Sequence, residues 1–164
     1  MNLPQNLINK GFALSEVIKD DLTSYLLVKK CCYKNYVEEY YGRWIDDVQT
    51  ESNTKAFAKK MEQTCFLKIL LNNETVGFLG FNETENAIEN ISMQMLPEAQ
   101  NQGIGSCFLE CLVKLDKPLF LRVFKSNPSK GLYERFGFRV CDVTPIHYYM
   151  EYAKQVLENK CPEE

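Results

Sequence analysis

Apolar positions recur along this chain with two periods, and the switches between them predict its elements. Residues 12–18 alternate roughly as a strand does. The Asp20-Asp21 pair then offers a helix N-terminus, and Leu22, Tyr25, Leu26, Lys29, Tyr33, Tyr36, Val37 and Tyr40 follow at helical spacing, predicting a long helix that ends near Gly42. Residues 52–63 predict a second helix, with Phe57 and Met61 on one face and charges on the other. CFLKILL and TVGFLGF read as strands joined by the short polar turn Asn72-Asn73-Glu74, a hairpin. In residues 87–95, Ile88, Asn90 and Ser92 alternate with Glu89, Ile91 and Met93, predicting a third member of the meander that Pro97 ends.

An apolar helix over residues 105–115 and the strand LFLRVF follow, the latter too apolar for a sheet edge. Strand, helix and strand with so little intervening chain signify a parallel crossover. Asn127-Pro128 predicts the start of another helix and Gly137 its close. Residues 138–143 and 146–150 predict a closing strand pair, and residues 151–159 a short terminal helix. Together these elements predict a mixed α/β fold with helices on both faces of a central sheet.

Composition narrows the picture without changing it. A chain of 164 residues fits a single domain over residues 1–164, and its 45% hydrophobic and 25% charged content is that of a globular protein. The opening MNLPQNLINKGF lacks the basic start and apolar run of a signal peptide, and no segment approaches the roughly 20 apolar residues of a membrane span, so a soluble, cytoplasmic protein is expected. Seven cysteines without a CxxC spacing, beside one histidine, read as reduced thiols and predict no metal site. A net charge of −3 gives no basic field for nucleic acid. A mildly acidic surface suits an amine substrate, though it equally serves solvation.

The stretch AQNQGIGSCFLECL carries the chemistry. A helix opening near Gly103 presents unpaired N–H groups and a positive dipole end, and glycine lets an anion approach without meeting a Cβ. A P-loop would need a lysine that this turn lacks, and the dinucleotide fingerprint would need glycine where Phe108 stands. Gln100-Asn101-Gln102-Gly103-Ile104-Gly105 fits instead (Gln/Arg)-x-x-Gly-x-(Gly/Ala). In this the sequence resembles the GCN5-related N-acetyltransferases, the GNAT superfamily. IENISMQMLPEAQNQGIGS, LRVFKSNPSKGLYERFGF and TPIHYYM are similar to that family's fourth strand and cofactor loop, its later strand–asparagine–tyrosine stretch, and its final strand, in the family's order.

The resemblance implies a mostly antiparallel sheet splayed between its fourth and fifth strands, with acetyl-CoA as donor substrate. It implies that main-chain groups of Gln102, Gly103, Ile104, Gly105 and Ser106, behind Gln100, meet the pyrophosphate, and that Met93, Gln94 and Met95 run beside the pantetheine arm. Asn127 matches the family asparagine near that arm; a plain helix cap is the alternative. Tyr133 corresponds to the tyrosine beside the sulfur and is expected to act as general acid, its phenol being protonated at neutral pH. Glu89 stands where many members carry a base, and a solvated strand glutamate is the other reading. Acceptor recognition in the family falls to the first two helices and their connection, here Tyr40, Arg43 and Trp44 with neighbouring acids, which equally read as helix packing and solvated charge. The implied acceptor is a small-molecule or peptide amine, with a homodimer possible. A binding module that keeps the cleft as a sensor, without turnover, is the competing class.

Overall fold

Hairpin register organises the molecule. The computed structural model describes residues 1–153. A short helix α1 (Gln5–Ile8) leads into β1 (Phe12–Glu16), α2 (Leu22–Tyr41) and α3 (Asp46–Lys60), then a meander of β2 (Cys65–Leu71), β3 (Glu74–Glu83) and β4 (Ile88–Met95). Next come α4 (Ile104–Val113), β5 (Leu119–Phe124), α5 (Lys130–Arg135), β6 (Arg139–Val143) and β7 (His147–Tyr152). All seven strands share one sheet, ordered β1-β2-β3-β4-β5-β7-β6. Every neighbouring pair is antiparallel except β4 and β5, which run parallel, as the crossover through α4 requires. Asn72 and Asn73 close the β2–β3 hairpin with φ of 49° and 70°, left-handed values that asparagine tolerates and that match the strand twist.

The sheet has a core on each face. Beneath α4 and α5, Leu79, Ile88, Ile91, Leu119, Leu121 and Met150 pack against Ile104, Phe108, Leu109 and Leu112. The i, i+4, i+8 spacing of Ile104, Phe108 and Leu112 is why α4 lies flat on the strands. Beneath α2 and α3 a smaller aromatic cluster joins Tyr25, Phe57, Phe66 and Phe78, with ring centroids 5.1 to 6.0 Å apart. At about 1.5–3 kcal/mol per buried large apolar side chain, the larger α4 cluster supplies most of the hydrophobic stabilisation. The start of α2 is clamped to β2, where Lys68 Nζ donates to both Asp21 carboxylate oxygens at 2.7 and 2.9 Å.

The elements depart from the sequence expectation in four places. Helix α3 begins at Asp46, not at residue 52, because Asp46 and Asp47 in its first turn complement the helix dipole. Asn127 and Pro128 form a turn and α5 starts only at Lys130, after Lys130 N–H and Gly131 N–H have bonded the carbonyls of Asn127 and Pro128. Glu151 and Tyr152 continue β7, paired with Phe120 and Leu119, where a helix was expected; the rest of that predicted helix lies outside the described residues. Finally, β4 does not alternate throughout. Ser92 faces Gly80 but Glu89 faces Asn82, so three steps along β4 oppose two along β3. The extra residue is a bulge at Asn90, whose φ is 54°. Ile88 and Ile91 therefore share one face. No helix among the described residues is long and apolar enough to cross a membrane.

Candidate active site

The parallel pair stops early. β4 bonds to β5 at Ile88 and Ile91, opposite Leu119 and Leu121, and then the strands part although β4 runs on to Met95 and β5 to Phe124. The register with β3 fixes what the parted edge exposes. Leu96 N–H bonds Val76 C=O across from it, which makes Met95–Gly77 and Met93–Leu79 narrow, non-bonded pairs. The main-chain groups of Met93 and Met95 consequently point away from β3, into the gap. The Met95 carbonyl is already engaged by Gln100 Nε2 at 2.8 Å and by the Cys32 thiol at 3.4 Å. Gln94 points its main chain at β3 and its buried side chain at α2, donating to the Tyr33 hydroxyl at 3.4 Å and leaving Oε1 without a partner.

At the mouth of this gap α4 begins. Gly103 is its N-cap in the left-handed conformation, φ 95°, and the first helical bond is Cys107 N–H to Gly103 C=O. The N–H groups of residues 102 to 106 have no hydrogen-bond partner among the described residues. Four such donors are inherent in a helix start, and an anion is the ligand that satisfies them together. The glycines serve different ends. A Cβ on Gly103 would meet nothing within 4 Å, so its requirement is the positive φ. A Cβ on Gly105 would sit 3.2 Å from Leu132 Cδ2 and 3.6 Å from Met93 Sδ, so its requirement is close packing of α4 on β4. The side chain of Gln100 fastens this loop to the end of β4, and Lys10 Nζ reaches Gln102 Oε1 at 3.2 Å. Lys10 adds a positive charge beside the loop that sequence reasoning missed, since 92 residues separate the two.

Tyr133, on α5, is buried with its ring against Phe138. Burial, reinforced by the phenol of Tyr33, pushes its pKa up, so it holds its proton throughout the neutral range. Tyr33 belongs to α2 on the opposite face of the sheet; the two phenols sense each other where β4 and β5 have parted. Asn127 Oδ1 accepts from Ser129 N–H at 2.9 Å, closing the turn before α5. Glu89 is exposed on the face covered by α2 and α3, opposite Asn82 and on the same side as Ser92 and Gln94.

The residues expected at the acceptor separate. Tyr40 stacks on Phe124 at 5.7 Å and its hydroxyl bonds Ser126 Oγ and N–H, both at 3.1 Å, tying α2 to the chain after β5. Trp44 Nε1 donates to Asp46 Oδ1 at 2.9 Å in a groove of about 360 Å³ on the outer flank of α2, with Leu26, Leu27 and Lys30, away from the flank that meets the sheet. Arg43 is exposed in the same connection. Of the neighbouring acids, Asp46 pairs with Lys30 at 2.7 Å and Glu39 accepts from Ser126. His147 packs against Phe124 with the ring centroids 4.4 Å apart and the planes tilted by 36°, its pKa lowered by burial and by Arg122. Among the described residues no group of three or more His, Cys, Asp or Glu is placed to hold a metal ion.

Residues 62–140, which hold the parted strands and the unsatisfied amides, match the family described as the acetyltransferase (GNAT) domain. This part of the chain is a GNAT domain. A [ribosomal protein bS18]-alanine N-acetyltransferase of Haemophilus influenzae is 30% identical over 87 residues, 50% of this chain and only 60% of that relative's length. Among solved structures, the PaiA N-acetyltransferase from Thermoplasma acidophilum in complex with coenzyme A has a TM-score of 0.66 at 21% identity, covering 85% of this chain and 97% of that one. The ribosomal-protein-S18-alanine N-acetyltransferase from Escherichia coli has a TM-score of 0.60 at 18% identity, covering 89% and 98%. At these identities the likeness establishes the fold, and its coverage shows that the GNAT fold extends beyond the matched segment to both flanks.

Proposed function

We propose that the protein is an acetyl-CoA-dependent N-acetyltransferase that moves an acetyl group to a small-molecule or peptide amine by direct attack in a ternary complex. The observation that carries this reading is the run of unpartnered amides at residues 102 to 106 beside a strand edge whose main-chain groups at Met93 face an open gap. A diphosphate suits the first and an amide-bearing pantetheine arm the second, pairing with the edge as an added strand would. When bound, acetyl-CoA supplies an acyl carbon already activated as a thioester. The main-chain N–H near Met93 stabilises charge on the carbonyl oxygen as the amine nitrogen attacks. Tyr133 gives its proton to the departing sulfur, and burial keeps that proton available. Glu89, exposed on the opposite face, takes the proton the amine must lose, directly or through water. Asn127 positions the arm. The relatives named for acetylating a ribosomal protein alanine are consistent with a peptide amine.

Calorimetry with coenzyme A and thiol release from acetyl-CoA with a panel of amines test the reading together. Binding with amine-dependent thiol release is expected. Binding with no thiol release from any amine would favour a sensor, and no binding would remove the reading altogether.

A further inference from the structure

Three cations converge on the side of the parted strands covered by α2 and α3. Lys60, at the end of α3, donates to Ser92 Oγ of β4 at 2.8 Å. Lys29, on the flank of α2 that meets the sheet, lies 3.9 Å over the ring of Tyr33 and feels the charge of Lys60. Arg122 projects from β5 on the same face as Phe124, near enough for its charge to act on Lys29, Tyr33 and His147. Six other lysines of the chain, Lys30, Lys34, Lys55, Lys68, Lys117 and Lys130, sit in ion pairs. Lys29, Lys60 and Arg122 have no carboxylate within ion-pair distance among the described residues, although Glu89 and Glu151 share their face.

Such an arrangement works against itself. Burial lowers both lysine pKa values to about 8, with mutual repulsion adding to the effect at Lys29. Positive charges brought together and partly withdrawn from water are relieved by an anion, and a guanidinium with two ammonium groups offers several charge-assisted donors to one. The place matters as much as the charge. Ser92 stands one residue before Met93 on the strand edge that meets the pantetheine arm in the proposed function, on the face away from α4 and Tyr133. We propose that the acceptor amine also carries an anionic group, a carboxylate or a phosphate, which Lys29, Lys60 and Arg122 hold while the amine faces the thioester. This rests on the acetyltransferase reading and specifies its substrate.

The test compares amines of similar size with the wild-type chain, both loaded with coenzyme A and free of it: O-phosphoethanolamine and β-alanine as the two anionic arms, ethanolamine as the neutral one and putrescine as the cationic one. Calorimetry reads binding, and thiol release from acetyl-CoA reads turnover. At least one anionic amine is expected to bind about ten-fold or more tighter than ethanolamine, the scale of one charge-assisted hydrogen bond, and putrescine weakest. Which anionic arm responds identifies carboxylate or phosphate. Lys60→Met and Arg122→Gln should each remove about ten-fold of that preference while leaving ethanolamine and coenzyme A binding unchanged. Arg122 is exposed, so its variant retains the fold even if Lys60→Met does not. Equal or tighter binding of the neutral or cationic amine, no binding of either anionic amine, or a preference untouched by Arg122→Gln would overturn the inference. Loss of coenzyme A binding with the anionic preference intact would instead count against the acetyltransferase reading, as would anionic binding without thiol release.

Discussion

The two faces of the sheet are built on opposite terms. Under α4 and α5 the strands carry a continuous apolar core, and the polar groups left unpaired are main-chain amides, fixed in place and indifferent to pH. Under α2 and α3 a compact aromatic cluster gives way to lysines, an arginine, tyrosines and a glutamine, which are side chains of adjustable charge and position. Backbone donors at a helix start recognise a diphosphate whatever is attached to it. Side-chain charges recognise one partner and can be exchanged for others. A donor common to a family and an acceptor particular to one member would call for this division.

Four measurements bear on the contrast. The largest effect is expected from Tyr133→Phe, which removes the proton donor and nothing from the diphosphate seat. Turnover should fall by about 10²–10⁴ with coenzyme A affinity preserved, and an unchanged rate would take Tyr133 out of the acid role. Gly103→Val comes next, because a β-branched residue at φ 95° forces the amides of the loop to turn. Coenzyme A affinity should drop roughly a hundred-fold, the loss of one or two charge-assisted bonds, while the α2 face is undisturbed. Unchanged affinity would dissociate the loop from the diphosphate.

The third measurement concerns pH and belongs to the α2 and α3 face alone. Lys60 titrates at about 8 in the folded chain against an ordinary 10.5. Between those values the unfolded state binds more protons, so stability rises with pH across this window and the burden of the buried charge is fully present below it. Thermal melts of the wild type, compared with Lys60→Met, should therefore improve between pH 8 and 10.5, whereas Gly103→Val should show no such relative trend. The smallest effect is Tyr25→Phe. The Tyr25 hydroxyl is buried without a partner in the centre of the aromatic cluster, and removing it should stabilise the chain by about 1 kcal/mol in urea unfolding. A loss of stability would show that the hydroxyl has a partner after all.

The same contrast governed what could be read in advance. The loop, the crossover and the order of strands were legible because each depends on neighbours in sequence: a glycine pair before an apolar helix, an Asn-Asn turn, a strand too apolar for an edge. The α2 and α3 face was not, since Lys60 and Ser92 lie 32 residues apart and Tyr33 and Gln94 lie 61 apart. The acids near Trp44 read equally as acceptor recognition and as solvated charge because the partners of Asp46 and Glu39, Lys30 and Ser126, are supplied by packing. The tie that the Tyr40 hydroxyl makes from α2 to the chain after β5 was hidden as well, because Ser126 is 86 residues away. Strict alternation placed Ile88 and Ile91 on opposite sides, and only the left-handed Asn90 shows why both belong to one core.

That asparagine has a further consequence. By slipping one position into β4 it resets the phase of the strand halfway along, so that Glu89, Ser92 and Gln94 end up looking one way and Met93 and Met95 the other. Iron the bulge out with the residue kept, and the downstream half would rotate by half a turn, handing the methionines to the tyrosines and the glutamine to the glycine-rich loop. Which side chains meet α4 and which meet α2 is written in the reading frame of a single strand.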